Sequence, residues 1–182
     1  MKKKIFKILF LMTIFFILCI NLIAQQNSQN ITINRSFQGI NLGINRAEFE
    51  RIAQEKNITI QGELDVYFNQ PDKSVIATMF PPYFRKILFF FYMDKLSMII
   101  FFFESKYITL YEEYSRLYSK YGMPIVNQKQ FIWEDEQTLL ILEKDPFIVK
   151  LIDKELFNAL NETTKNLENI IQQSLDSSLD TL

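Results

Sequence analysis

The chain has 182 residues, 48% of them apolar and 23% charged, with a formal net charge of −1. Those proportions suit one globular domain, or two small halves sharing a sheet, and exclude a disordered tail or a polytopic membrane protein. Histidine is absent and Cys19 is the single cysteine, so no Ser-His-Asp triad, HExxH zinc site or disulfide framework can be assembled.

Lys2, Lys3, Lys4 and Lys7 form a basic start, and Ile8 to Ile20 is an apolar run of 13 residues broken only by Thr13. A membrane-spanning helix needs about 20 apolar residues, so the run reads as a secretory signal peptide covering residues 1–24. Two processing patterns compete. Cleavage after Ala24 places a small residue at the cut, with Leu22 two positions before it. Alternatively, Phe16-Ile17-Leu18-Cys19 is similar to a lipoprotein signal in which Cys19 carries the acyl chains. Soluble export is preferred, to the periplasm or cell envelope, with membrane association only if Cys19 is lipidated. Cleavage after Ala24 leaves 158 residues and removes four lysines, which takes the net charge from −1 to −5. An acidic mature chain lacks the clustered basic footprint of a nucleic-acid binder. The Lys, Asn, Ile and Phe bias is typical of AT-rich bacterial genomes, and the Asn-x-Thr triplets at Asn30, Asn57 and Asn161 are then chance matches.

Residues 25–36 are polar and are expected to form a flexible linker, followed by a single α+β domain over 37–173. Phe37 to Gly43 is a short apolar segment with two glycines. Asn45-Arg46-Ala47-Glu48 has the form of a capping box, with Phe49, Ile52 and Ala53 at helical spacing, so Asn45 to Lys56 is a short amphipathic helix. Strands are expected at Leu64 to Asn69 and Val75 to Met79 around a Pro71-Asp72 turn. The strongest strand signals are Arg85 to Met93 and Leu96 to Phe103, a hairpin turning at Asp94-Lys95. Neither run alternates in polarity, so both faces of these strands are expected to be covered. A second capping box, Thr109-Leu110-Tyr111-Glu112, opens a helix with the stripe Leu110, Tyr114, Leu117, Tyr118 and Tyr121, stopped by Gly122 and Pro124. Strands follow at Gln130 to Glu134, Thr138 to Lys144 and Phe147 to Ile152. A last helix starts at Asp153 or Lys154 and carries Leu156, Leu160, Leu167 and Ile171, before a frayed tail over 174–182.

Glu48-Phe49-Glu50-Arg51-Ile52 can be laid on Glu113-Tyr114-Ser115-Arg116-Leu117, each helix preceding a set of strands. The economical architecture is an antiparallel sheet with packed helices, built as two helix-then-strands units sharing one sheet.

The run Phe37-x-Gly39-Ile40-x-Leu42-Gly43-x-x-Arg46-x-Glu48, the Met93 to Leu96 hairpin, Lys120-Tyr121-Gly122-x-Pro124 and Trp133-x-Asp135-x-x-Thr138 resemble small exported bacterial domains of the SmpA/OmlA (BamE) and β-lactamase-inhibitor-like families. The resemblance spans roughly Phe37 to Asp153. It implies helices on an antiparallel sheet, a cell-envelope location and a non-enzymatic, protein-binding role toward an envelope partner.

Phe80-Pro81-Pro82-Tyr83-Phe84 carries three aromatics beside two prolines that keep it out of a central strand, so it is read either as a partner-docking loop or as a lid on the core. Phe80, Tyr83, Phe84 and Trp133 are the candidate partner-binding residues. Glu134, Asp135 and Glu136 beside Trp133 are read as a solvated hairpin turn, because consecutive strand residues point to opposite faces and do not converge as an acid–base pair. They also lack the spaced ligands and central glycine of a calcium loop. The expectation is therefore no catalytic, cofactor-binding or metal site, and no enzyme. The phenylalanine runs are read as core; the alternative function is a carrier of an apolar ligand, a lipid or acyl chain, in that Phe-rich interior.

Overall fold

A computed structural model of the chain describes residues 31–63 and 73–165. The signal region with Cys19, the expected strand at Leu64 to Asn69, the Pro71-Asp72 turn, Leu167, Ile171 and the tail lie outside the described residues. The fold is α+β and dominated by its sheet. The elements run β1 (Ser36–Phe37), β2 (Ile40–Asn41), α1 (Arg46–Glu55), β3 (Ile60–Glu63), β4 (Lys73–Phe80), β5 (Phe84–Tyr92) and β6 (Lys95–Phe103). Then come α2 (Leu110–Tyr121), β7 (Ile125–Asn127), β8 (Gln130–Glu134), β9 (Thr138–Glu143) and β10 (Ile148–Asp153), and residues 154–165 form α3.

β1 and β2 pair as a minimal hairpin, and the other eight strands form one sheet in the order β3-β4-β5-β6-β10-β9-β8-β7. Every pairing in it is antiparallel. A helix followed by four meandering strands thus occurs twice, and the two last strands, β6 and β10, join the halves in mid-sheet.

Local sequence explains most element ends. Asn45 Oδ1 accepts from the Glu48 N–H at 2.8 Å and starts α1. Thr109 and Glu112 form the reciprocal box that starts α2, and Gly122, at φ +78°, ends it. Asp153 Oδ1 accepts from Leu156 N at 2.9 Å at the head of α3. The β5–β6 hairpin turns one residue earlier than expected, through Met93 and Asp94, both at positive φ, the conformation a two-residue turn between twisted strands requires. β3 and β7 have no counterpart among the expected strands. Both are short and lie at the sheet's edges, where little apolar alternation is needed to hold a strand.

The registers sort side chains onto two faces. On the inner face Thr78, Ile87, Phe101, Val149, Leu142 and Phe131 stand in one row across six strands. The next row is Ile76, Phe89, Ile99, Leu151, Leu140 and Trp133, all of them buried. The helices cover this face. The Phe49 ring of α1 packs tilted on Phe89 at 4.8 Å and edge-on to Phe91 at 5.4 Å, and Tyr114 of α2 lies 4.7 Å from Phe131.

The outer face changes character along the sheet. In the row Ala77, Leu88, Ile100, Lys150, Ile141, Ile132 and Ile125, the first three are buried, the next three half-buried and the last exposed. Val75, Ala77, Leu88, Ile100 and Ile148 form a closed outer core with Phe90, Met98 and Phe102 against it. α3 reaches this side, with Thr163 Oγ1 at 2.9 Å from the Tyr92 hydroxyl. β5 and β6 are therefore covered on both faces as their unbroken apolar runs demand. β9 alternates buried and half-buried instead, the pattern of a strand covered on one face.

Phe89→Ala is expected to cost about 3–5 kcal/mol, because the ring is fully buried beneath Phe49, while Phe90→Ala, half-buried on the outer face, costs less. Thr78 is fully buried and its Oγ1 has no hydrogen-bond partner among the described residues. Thr78→Val keeps the shape and removes the unpaired hydroxyl, so it should raise stability by about 1 kcal/mol. Urea denaturation of the three variants against the parent checks both expectations.

Candidate functional site

The segment at residues 32–37 is part of the fold rather than a linker. Ile33 is 2% exposed, and its N–H donates to Asp135 Oδ2 at 2.7 Å. Arg35 pairs with Asp153 and donates at 3.1 Å to both Gln137 O and Thr138 Oγ1. These contacts draw the segment over the β8–β9 turn and deliver Phe37 to the middle of the inner face. The expected boundary at residue 37 is therefore too late: a buried isoleucine among Asn, Thr and Arg carries no periodicity, and the partners that bind it lie about a hundred residues away.

Asp135 organises that corner. Its Oδ1 also accepts from Gln137 N at 2.9 Å and Thr138 N at 2.7 Å. Burial works to raise its pKa, but the backbone donors of Ile33, Gln137 and Thr138 outweigh it and leave the carboxyl below the usual aspartate value. Glu134 and Glu136 are exposed, so the acidic cluster is a hairpin corner with one structural carboxylate. Among the described residues no group of three His, Cys, Asp or Glu side chains is placed to hold a metal ion.

The aromatic candidates separate. Phe80 and Phe84 are register partners at the ends of β4 and β5, leaving a turn of three residues. Phe37 packs edge-on to Phe80, Phe84 and Phe101 at 5.5, 5.8 and 5.0 Å, and Phe84 also lies 5.2 Å from Phe103. Of the three aromatics in the turn region only Tyr83 is exposed, at 56%. Trp133 is 1% exposed, with its indole N–H donating to Gly122 O at 2.9 Å. It lies in the other half of the sheet as a core residue with no surface to offer a partner, since inner-face register buries it.

Two features that the residues alone did not reveal stand out. One is a cavity of about 380 Å³ on the inner face, where the central β6–β10 seam is roofed by α2 and the segment bearing Phe37. Glu113, Arg116, Lys120 and Tyr121 of α2 line one side of it and the Phe37 cluster the other. Glu113 has a side chain only 2% exposed; Arg116 Nη2 donates to its Oε1 at 2.8 Å. The other feature is the edge strand β7, all three residues of which are exposed. Ile125 and Val126 there are 58 and 62% exposed, and Met123 just before the strand is 85% exposed.

Replacing Asp135 by Asn is expected to cost about 1–3 kcal/mol at neutral pH, because an amide faces one of the three N–H donors with its own NH2. Since the native carboxyl titrates below its unfolded value, its stabilisation is complete above the ordinary aspartate range of about 4. It fades as pH falls through the lowered value, so the gap between parent and Asp135→Asn should close in acid. Thermal melts from pH 7 to pH 2 measure this. In the same assay Phe84→Ala should cost about 3 kcal/mol and Tyr83→Ala no more than about 0.5 kcal/mol.

A family model described as the TP0088 domain matches residues 35–163. No curated protein and no solved structure matches the chain. The matched span opens on Arg35, the residue that clamps the N-terminal segment to Asp153, and runs through all ten strands into α3; the chain belongs to the TP0088 domain family.

Proposed function

We propose that this chain is an exported cell-envelope protein that acts by binding another protein, and that the partner docks as an extended segment along β7. The observation that carries the reading is the composition of that edge. β7 ends the sheet, so among the described residues one side of its backbone has no strand to pair with. Two of its three residues are large, apolar and more than half exposed. Natural edge strands are usually blunted by charge or covered, whereas an apolar, uncovered edge suits strand addition, in which main-chain hydrogen bonds supply affinity and side-chain pockets specificity. The half-buried Ile132 and Ile141 continue the apolar surface inward from Ile125 on the outer face. The basic start and 13-residue apolar run of the N-terminus support export. The resemblance to small exported envelope domains points the same way.

We also read the two helix-then-strands units as repeats of one ancestral unit. The helix segments that align in sequence carry matching ion pairs, Glu48–Arg51 at 2.7 Å in α1 and Glu113–Arg116 at 2.7 Å in α2. Phe49 and Tyr114, at the aligned position, each anchor their helix on sheet aromatics.

A photo-crosslinking residue at Val126 of the full chain, expressed in its native host, should give a discrete adduct with one envelope protein, and the same residue at exposed Gln54 of α1 should not. Ile125→Lys combined with Met123→Lys should abolish the adduct from position 126 while changing stability by no more than about 0.5 kcal/mol, both side chains being exposed. Equal adducts from both positions would remove β7 as the docking edge. Mass spectrometry of the native protein should find it beginning at Gln25, or at an acylated Cys19 under the lipoprotein pattern. An intact Met1 would remove export.

A further inference from the structure

The cavity on the inner face has two chemically distinct ends. Toward the sheet it is walled by Phe37, Phe84, Phe101 and Phe103, whose edge-on and tilted contacts at 5.0 to 5.8 Å make one aromatic cluster. Toward α2 it is walled by Arg116, Lys120 and Tyr121 above Glu113. The α2 positions 113, 116, 117, 120 and 121 fall on one side of the helix by their spacing, so one helical face supplies both the closing apolar side chain, Leu117, and every charge.

The charged end is built rather than incidental. Glu113 is buried and Arg116 exposed, with side chains 2 and 65% accessible, so the carboxylate holds the base of a guanidinium that reaches outward. Lys120 Nζ lies 4.9 Å over the ring of Tyr121, a placement the ring's quadrupole favours. The Tyr121 hydroxyl accepts from Asn34 N at 3.3 Å, which leaves its own proton available to donate. Two cations against one buried carboxylate leave a surplus of one positive charge beside a phenol donor. That balance is met by a monoanion.

We propose that the cavity binds a small amphipathic monoanion, its apolar chain or ring against the Phe37 cluster and its carboxylate on Arg116, Lys120 and the Tyr121 hydroxyl. The volume of about 380 Å³ stands near the lower end of the ~300–1,000 Å³ typical of ligand pockets. It therefore accommodates one short chain. A carboxylate is favoured over a phosphate monoester because a dianion would exceed the surplus positive charge. In the first half of the sheet the aligned pair Glu48–Arg51 is exposed on both sides, so this use of the pair belongs to α2 alone. The site lies on the opposite face of the sheet from the exposed Ile125 and its row, and the inference does not depend on protein docking at β7.

The test is calorimetric titration of the purified full chain with decanoate, decyl phosphate, decyltrimethylammonium and decanol. Decanoate is expected to bind at one site per chain and at least tenfold more tightly than the other three. Lys120→Glu should weaken decanoate at least tenfold and leave decanol unchanged. Because Arg116→Ala alone would strand a buried carboxylate, the second variant carries Glu113→Gln and Arg116→Gln together. It should weaken decanoate similarly, with circular dichroism showing the fold retained. Tighter binding of decyl phosphate would overturn the carboxylate assignment. Preference for decyltrimethylammonium would overturn the anion and make Glu113 the recognising group. Saturable decanoate binding that neither variant alters would overturn the placement of the head, and no saturable binding by any of the four would overturn the site.

Discussion

The antiparallel pairing of β6 with β10 is the contact on which the rest of the molecule depends. Each half of the chain can make its own meander through short connections, β3 to β6 and β7 to β10. Only the five register pairs from Met98–Ile152 to Phe102–Ile148 convert two four-stranded meanders into one sheet. Without that seam both halves would end on strands rich in Ile, Val and Phe with a free backbone edge, an aggregation-prone state. The pairing links residues about fifty positions apart, so loop closure makes it slow to form compared with the hairpins on either side. Because both halves end at the seam, it also determines what lies above it. Phe49 of α1 anchors on β5 and Tyr114 of α2 on β8, and the seam between them is roofed partly by the N-terminal segment.

That segment is held by polar contacts rather than by its own secondary structure. Ile33 gives its N–H to Asp135, Arg35 pairs with Asp153, and Lys154 Nζ donates to Asp135 O at 2.9 Å. The corner thus joins the start of the domain, the β8–β9 turn and the β10–α3 junction. Its energetic weight comes from charged groups that accept or donate several hydrogen bonds in partly buried surroundings, worth roughly twice a neutral bond each. The same corner brings Phe37 to Phe101, so the shape of the inner cavity follows from an ion-pair network at its margin.

The two halves share an order of elements but have diverged in chemistry. On the outer face the first half is closed around Val75, Ala77 and Leu88, while the second leaves Ile132 and Ile141 half-buried. On the inner face α1 keeps its Glu48–Arg51 pair in solvent, and α2 buries Glu113 beside a cavity. Ile125 and its row stand on the outer face and the cavity on the inner face, so the sheet separates those two surfaces.

Much of the architecture was legible in the sequence. The Asn45 cap of α1, the capping box of α2, the strongest hairpin, the strands β8 to β10, the closing helix and the sharing of one sheet by two helix-led units follow from local signals: cap residues, apolar periodicity and turn chemistry act over a few positions and are written in consecutive residues. The rest was not, and each gap has the same physical cause. Ile33 and Arg35 looked like linker because their partners Asp135 and Asp153 are a hundred or more residues away. Trp133 looked like a contact residue beside an acidic turn, and inner-face register buried it. Phe80 and Phe84 looked like a loop because of the two prolines between them, and cross-strand pairing joined them instead. Glu113 carries no local signal beyond its place in the acidic first turn of α2, and only the packing of that helix over the β6–β10 seam brings it to a cavity. Sequence determined the elements and their order, since those depend on neighbours in the chain; the site was decided by tertiary structure, since it depends on which distant side chains the central pairing brings to one face.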